Sequence, residues 1–285
     1  MGNTRTPQSE SFKPCHALAV AVEAAETAGR LLRQHWRTPK KINESQAHDL
    51  KLELDVRCQR QITRRLRQAF PEIALLGEEG TAGDDTAPLR WVVDPIDGTV
   101  NYAYQIPHAC VSIALQHRKV PLQPGKTSAP YQTLAGVVHD PFCQETWSAV
   151  RGHPARLNNR IIHVSARSRL SEAVVSVGFA KYDANLRHML PGFQNLVPRA
   201  RKVRIMGSAA LDLVYVACGR MDAYVEAGVR LWDIAAGGLI LECAGGDFFH
   251  RPLSGDLCYY VLANNGRLRG CLQRLCGSPS SNNNS

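Results

Sequence analysis

Residues Trp91 to Thr99 read Trp-Val-Val-Asp-Pro-Ile-Asp-Gly-Thr, and no other stretch constrains the fold as tightly. The run Trp91-Val92-Val93 has the composition of a strand, and Pro95, with no N–H to offer a sheet, is expected to end its pairing. Asp94 and Asp97 then stand where a buried strand emerges into a turn. Gly98 and Thr99 follow at once, a flexible residue and a hydroxyl, placed to open a helix or a tight turn. Carboxylates suit hard divalent cations, and exposed backbone N–H groups at such a turn suit an anion. The stretch therefore predicts a metal and a phosphate side by side.

Around this stretch the apolar spacing predicts the other elements. Leu18, Val22, Ala25, Gly29 and Leu32 recur at helical period, so a first helix is expected over 16–36. Residues 40–51 read as a polar loop. A second helix is expected over 55–70, with Cys58, Ile62 and Leu66 inward and Pro71 ending it. A short strand at 73–76 runs into Gly77-Glu78-Glu79-Gly80. Strands are expected at 109–116, 134–139, 146–150 and 161–164, with a Pro- and Lys-containing loop over 118–132. From about 170 the texture alternates: strands at 173–177, 223–226 and 259–262, helices at 209–218 and 233–243. An α+β first lobe over 15–168, carrying the metal site, and an α/β second lobe over 169–276, carrying substrate contacts, are expected between a disordered leader (1–14) and a Ser/Asn-rich disordered tail (277–285).

Composition narrows the class. With 285 residues, 44% hydrophobic and 21% charged, the chain has the make-up of an ordinary globular protein. No apolar run reaches the length of a bilayer span, and the leader lacks the apolar core of a secretory signal, although Met1-Gly2 to Thr6 fits a loose myristoylation pattern. Nine cysteines are scattered singly with no Cys-x-x-Cys pair, which argues against structural zinc and for reduced thiols in the cytoplasm. The net charge of +9 is partly organised, because Arg57, Arg60, Arg64 and Arg67 fall on one helical stripe. A solvated outer face is the plain reading of that stripe, and a phosphate-rich partner is the other.

Three acidic groups end apolar segments: Glu78-Glu79, Asp94 with Asp97, and Asp233 after Leu231-Trp232. Four or five carboxylates converging without a cation would repel, and several would have to take up protons. Divalent metals remove that conflict, and two ions about 3.5–4 Å apart can clamp both oxygens of an in-line phosphoryl displacement.

Glu78-Glu79, Asp94-Pro95-Ile96-Asp97-Gly98-Thr99 and Trp232-Asp233 resemble the signatures of the inositol monophosphatase family, as do Gly207-Ser208-Ala209-Ala210-Leu211-Asp212 and Glu242-Cys243-Ala244-Gly245-Gly246. The resemblance spans roughly residues 18–262. It implies a layered α-β-α-β-α sandwich of the inositol monophosphatase and fructose-bisphosphatase type, and a magnesium-dependent, lithium-sensitive phosphatase with two to three ions per site, manganese being the alternative metal. Carried over residue by residue, Glu78, Asp94 and the Ile96 carbonyl would hold one ion, and Asp94, Asp97 and Asp233 the second. A third would sit near Glu78 and Glu79. Glu78 and Thr99, with the bridging Asp94, would activate the attacking water. The N–H groups of Gly98 and Thr99 would receive the phosphate, while Ala209, Glu226 and Asp233 would meet the rest of the substrate, a small phosphorylated polyol or sugar. Relatives are commonly dimers, which implies a homodimer. Two departures bear on substrate choice: Glu44 stands where some relatives carry a lysine, for which Lys51 is the substitute, and the 118–132 loop is longer than usual.

Inositol monophosphate is the expected substrate. Histidinol phosphate and adenosine bisphosphate (cleaved by a nucleotidase) are the rivals within the same chemistry, and Glu226 speaks against a second phosphate. An RNA-associated regulatory factor with vestigial phosphatase activity is the rival from another class. His108, His139 and His163 read as half-buried structural histidines, Ser112 and Ser208 lack a nucleophile elbow, and Asp212 reads as packing or capping locally.

Overall fold

The computed structural model describes residues 13–39, 42–45, 50–84, 87–119, 131–180, 183–253 and 257–277, and of residues 42–45, 50 and 51 the backbone alone. Helical apolar spacing at the start becomes α1, Pro14–Gln34, with the proline in its first turn, where a missing N–H is tolerated. The expected loop at 40–51 contains instead an antiparallel pair, β1 (Ile42–Ser45) and β2 (Leu50–Leu52), in which Glu44 opposes Lys51. Backbone pairing formed this hairpin without an apolar alternation to announce it. The side chains of Glu44 and Lys51 lie outside the described residues, as do 1–12, 120–130 and 278–285 of the expected leader, long loop and tail.

After α2 (Glu53–Ala69) come β3 (Ala74–Gly77), β4 (Gly80–Ala82), β5 (Leu89–Asp97), the one-turn α3 (Thr99–Ala103), β6 (Cys110–Arg118), β7 (Tyr131–Asp140) and β8 (Glu145–Val150). Two-residue strands β9 (Arg156–Leu157) and β10 (Arg160–Ile161) complete an eight-stranded sheet in the order β10-β9-β8-β7-β6-β5-β3-β4. Residues 162–164, expected as strand, fall outside it; the turn at Asn158 and Asn159, both at positive φ, uses up the short hairpin first. Pro95 does not end β5, which pairs with β6 as far as Asp97 by means of a register shift between Asp94 and Asp97.

The remaining chain gives β11 (Val174–Val177), α4 (Asp183–Leu196), β12 (Lys202–Arg204), α5 (Ala209–Ala217), β13 (Ala223–Arg230), α6 (Leu231–Cys243), β14 (Asp247–Pro252), β15 (Cys258–Asn264) and α7 (Arg269–Cys276). Their sheet runs β12-β11-β13-β15-β14, parallel across β12-β11-β13 and antiparallel beyond. The elements α4, β12, β14 and α7 are not among those expected from the sequence. In α4 the Pro191-Gly192 pair reads as a breaker, yet the helix runs through it.

The layers stack as α1 and α2, the eight-stranded sheet, α5 and α6, the five-stranded sheet, then α4 and α7. The α-β-α-β-α order expected from the resemblance is present. Three cores fill the gaps, one under α1 and α2, one around the central helices, one beneath α4 and α7. The helix α6, Leu-Trp-Asp-Ile-Ala-Ala-Gly-Gly-Leu-Ile-Leu-Glu-Cys, is apolar on nearly every side, as a helix covered by sheets on both faces must be. Among the described residues no helix is long and apolar enough to cross a membrane. All nine cysteines are unpaired, and Arg57, Arg60, Arg64 and Arg67 lie exposed on α2. His139 is a structural histidine, with Nδ1 2.9 Å from Thr146 Oγ1.

The central helix sits so close to β7 that a Cβ on Gly136 would meet the Cα of Ala236 at 3.0 Å and its carbonyl oxygen at 3.1 Å. Backbone cannot yield as a side-chain tip can. Gly136→Val is expected to lower stability by about 1–3 kcal/mol by overpacking, despite valine's liking for strands, as read from the urea midpoint; an unchanged midpoint would show that the two layers slide apart freely.

Candidate active site

In a regular strand, residues three apart point to opposite faces. The register shift in β5 changes that: Asp94 opposes Ser112 and Asp97 opposes Cys110, so three steps on β5 span two on β6. The extra residue is a bulge, and it contains Pro95, whose missing N–H has no ladder bond to lose there. Asp94 and Asp97 thereby share the face turned toward α5 and α6. Ile96 N–H donates to Asp94 Oδ1 at 2.9 Å, which closes the turn on itself. Gly98 comes next at φ 90°, a left-handed conformation that favours glycine, and a Cβ there would also strike His108 O at 2.9 Å. Thr99 Oγ1 donates to Ile96 O at 2.8 Å, so the threonine hydroxyl and the carbonyl expected to face a cation are tied together.

The other acidic groups arrive on separate elements. Glu78 follows β3, which runs parallel to β5 with Gly77 opposite Val93, and it interacts directly with Asp94. Asp233 is the third residue of α6, where its Oδ2 accepts the Arg230 N–H at 2.7 Å, a cap that fixes the carboxylate at the positive end of the helix. One oxygen from each of Asp94, Asp97 and Asp233 lies within 4.8 Å of the others. Glu79 sits beside this group, its N–H donating to Gln59 Oε1 at 2.9 Å while Gln59 Nε2 donates to Gly80 O at 3.0 Å.

Burial pushes the Asp94 carboxyl well up from its ordinary range, and the charges of Glu78, Asp97 and Asp233 push it further. Asp233 is raised by burial and then by Asp97 and Glu78, against the helix cap. Asp97 is raised by burial but opposed by donors: Ser208 Oγ at 2.5 Å and Ala210 N at 2.7 Å, with the Ala209 N–H adding to them at the start of α5. Acids held this way gain most from a hard divalent cation, and an all-oxygen donor set suits magnesium, manganese or calcium rather than zinc. The residues present fit such an ion.

Of the expected substrate residues, Gly98 and Thr99 stand at the mouth of the one-turn α3. Ala209 is at the N-terminus of α5, its N–H turned to Asp97. Glu226, on β13, accepts a hydrogen bond from Tyr224 at 2.5 Å, and burial raises its pKa to about 7. Both Asp97 and Asp233 feel its charge.

Some contributors escaped the sequence reading. Asp212, read there as local packing, is fully buried within electrostatic reach of Glu226 and Asp97, and burial raises its pKa well above the usual range. Its place at the start of α5, between two residues already suspected, was the available signal. Ser208 and Gln59 hold site residues from other elements, which no local pattern reveals, while Tyr224 holds Glu226 from two residues away on the same strand. Asn101 Nδ2 donates to His108 O and Met206 O, both at 2.9 Å, lacing α3 to the segment before α5. Ser112 serves as a strut rather than a nucleophile, its Oγ donating to Trp232 O at 3.1 Å next to Asp233.

Known proteins resemble this chain in sequence and in fold. The chain is 38% identical to the Nus factor SuhB of Xylella fastidiosa over 233 residues, 81% of this chain and 80% of that protein. It is 38% identical to the inositol-1-monophosphatase of Synechocystis over 271 residues, 92% of this chain and 89% of the other. The solved structure of extragenic suppressor protein suhB from Bartonella henselae matches with a TM-score of 0.81 at 31% identity, covering 93% of this chain and 99% of that one. The inositol monophosphatase from Anabaena matches with a TM-score of 0.76 at 33% identity, covering 92% and 95%. The family description Inositol monophosphatase family fits residues 15–270, nearly everything from α1 to α7, and the chain belongs to that family.

Proposed function

We propose that the protein is a divalent-metal-dependent phosphomonoesterase acting on a small polyol or sugar phosphate, inositol monophosphate first among them. The observation that carries this reading is the convergence of Asp94, Asp97 and Asp233, all pushed toward protonation. Magnesium held by Glu78, Asp94, Asp97, Asp233 and the Ile96 carbonyl would neutralise the phosphate dianion and supply hydroxide near neutral pH. Phosphate-monoester hydrolysis is among the slowest uncatalysed reactions, so charge neutralisation is the main demand on the site. Thr99, anchored to Ile96, orients the attacking water through its hydroxyl, and Glu78 accepts the proton. The N–H groups of Gly98 and Thr99 face the phosphate oxygens. Glu226, braced by Tyr224, accepts hydrogen bonds from substrate hydroxyls, and its charge disfavours a ligand with a second phosphate there.

A second reading, that the protein acts through RNA, draws on the exposed stripe Arg57, Arg60, Arg64 and Arg67 and on similar proteins that bear the name Nus factor. The two readings separate experimentally. If the stripe binds RNA, affinity falls steeply with salt and survives Asp94→Asn; absence of binding at low salt removes this reading.

Asp94→Asn is expected to lower phosphatase kcat by about 10³-fold or more at saturating magnesium, with the metal-free fold intact, because it removes a crowded buried acid. Near-normal turnover of this variant on a panel of phosphate esters would refute the catalytic assignment. The pH dependence follows from the same acids. The folded-state pKa of Glu226 is raised from 4.5 to about 7, and Asp94, Asp97 and Asp233 are raised in the same direction. Stability from groups raised this way is fully present below the unfolded pKa and is lost as pH climbs through the folded one. Metal-free protein in a chelator should therefore melt at lower temperature at pH 8 than at pH 5. Magnesium at a hundredfold excess over its pH 8 Kd should stabilise the fold by about 2.7 kcal/mol, and the same concentration should raise Tm less at pH 5. A metal-induced rise no greater at pH 8 than at pH 5 would contradict the assignment of Asp94, Asp97 and Asp233 as ligands.

A further inference from the structure

Alternate residues of a strand share a face, so the side of β5 that carries Asp94 also carries Arg90, four residues earlier. Val92 between them packs into the core around α5 and α6. Arg90 borders a cavity of about 350 Å³, a size suited to a small-molecule ligand, and none of Asp94, Asp97 or Asp233 lines it. Two more cations, Lys119 and Arg151, face the same space, against one carboxylate, Glu242. Arg151 is paired with that carboxylate at 2.8 Å. Arg90 and Lys119 have no carboxylate partner among the described residues.

Neutral groups hold Arg90 in position. Its Nε and Nη2 both donate to Gln116 Oε1, at 3.0 and 2.9 Å, and its guanidinium lies 3.6 Å from the centre of the Tyr131 ring. The Gln116 amide is oriented in turn by donating to Thr133 Oγ1 at 3.2 Å. Burial disfavours the charge that this geometry retains. A partly desolvated, pre-oriented guanidinium without a counter-ion is a receptor for an oxyanion.

Three further aromatic side chains, Phe248, His250 and Tyr259, form a wall of the same cavity. Phe248 and His250 stack with ring centres 4.9 Å apart, and Tyr259 lies 5.7 Å from His250. Such a wall takes a flat ring, whereas a sugar phosphate or free phosphate would leave it unused. We propose that this cavity is a mononucleotide-binding site separate from the carboxylate cluster, with Arg90 and Lys119 receiving the phosphate and the aromatic wall receiving the base.

The proposal stands apart from the phosphatase reading and is tested with the cluster stripped of metal. AMP, ribose 5-phosphate and inorganic phosphate are titrated calorimetrically into the full chain in EDTA at constant ionic strength. AMP is expected to bind saturably and about tenfold or more tighter than ribose 5-phosphate, the difference reporting the stacked base. Arg90→Gln and Lys119→Glu should each weaken AMP about tenfold or more. Lys119 is exposed, so its substitution decides the matter even if the Arg90 variant fails to fold. No saturable AMP binding in the millimolar range, or binding that Lys119→Glu leaves unchanged, overturns the site. Ribose 5-phosphate or phosphate binding as tightly as AMP overturns the nucleotide assignment.

Discussion

Like charges at close range in a poorly hydrated space are the constraint around which this molecule is organised. Three carboxylates with oxygens within 4.8 Å of one another and a fourth, Glu78, in contact with Asp94 are an arrangement that burial and Coulomb repulsion both oppose. It persists because each acid is held by elements whose own stability lies elsewhere. Asp97 is gripped by Ser208 and the first N–H groups of α5, Asp233 by the cap of α6, Asp94 by the turn at Ile96. Two helix N-termini aim their positive ends at the cluster, and both belong to the central layer, walled by sheets on either side. The scaffold therefore stores electrostatic tension that a cation of the right hardness relieves. The same tension is the physical reason a metal is needed for the chemistry proposed here.

Much of this could be read from the chain before any coordinates. The strand Trp91-Val92-Val93, the acids after it, and the pattern at Glu78-Glu79 and Trp232-Asp233 combine local composition with a sharp change of character, and both survive in a linear string. The helices α1 and α2 were legible from apolar period, since each lays one stripe on the sheet. What stayed hidden depended on partners distant in sequence. Nothing near Ser208 says that it will meet Asp97, more than a hundred residues away. Asp212 looked like a helical acid because its burial comes from the five-layer stack and not from its neighbours. Pro95 misled for an instructive reason: the rule that proline ends a strand holds for regular pairing, and this strand is irregular at that point. In α4 the helix continues through Pro191-Gly192 because packing against α7 and β13 outweighs local propensity.

The central helix α6 borders two surroundings of opposite electrostatic character. Its first turn presents Asp233 to the acidic cluster, while Leu231, Ile234, Ala235, Leu239 and Glu242 border the cationic cavity. On the neighbouring strand, Arg90 and Asp94 repeat that polarity along one face. Acid and base are kept apart by a layer of apolar side chains that includes Val92, so neither set neutralises the other. Had Arg90 stood beside Asp94, an internal ion pair would have satisfied both and left no need for a cation or an anion from outside.

The bulge after Asp94 also has a bearing on how such a chain can change over evolutionary time. Substitutions at Pro95 or Ile96 alter a side chain, but the loss of one codon there would straighten β5 and rotate Asp97 to the opposite side of the sheet, into the packing beneath α1 and α2. An insertion would have a comparable effect. The segment is thus a ruler whose length matters more than its lettering, and gaps should be far rarer between Asp94 and Asp97 than in the stretch between β6 and β7.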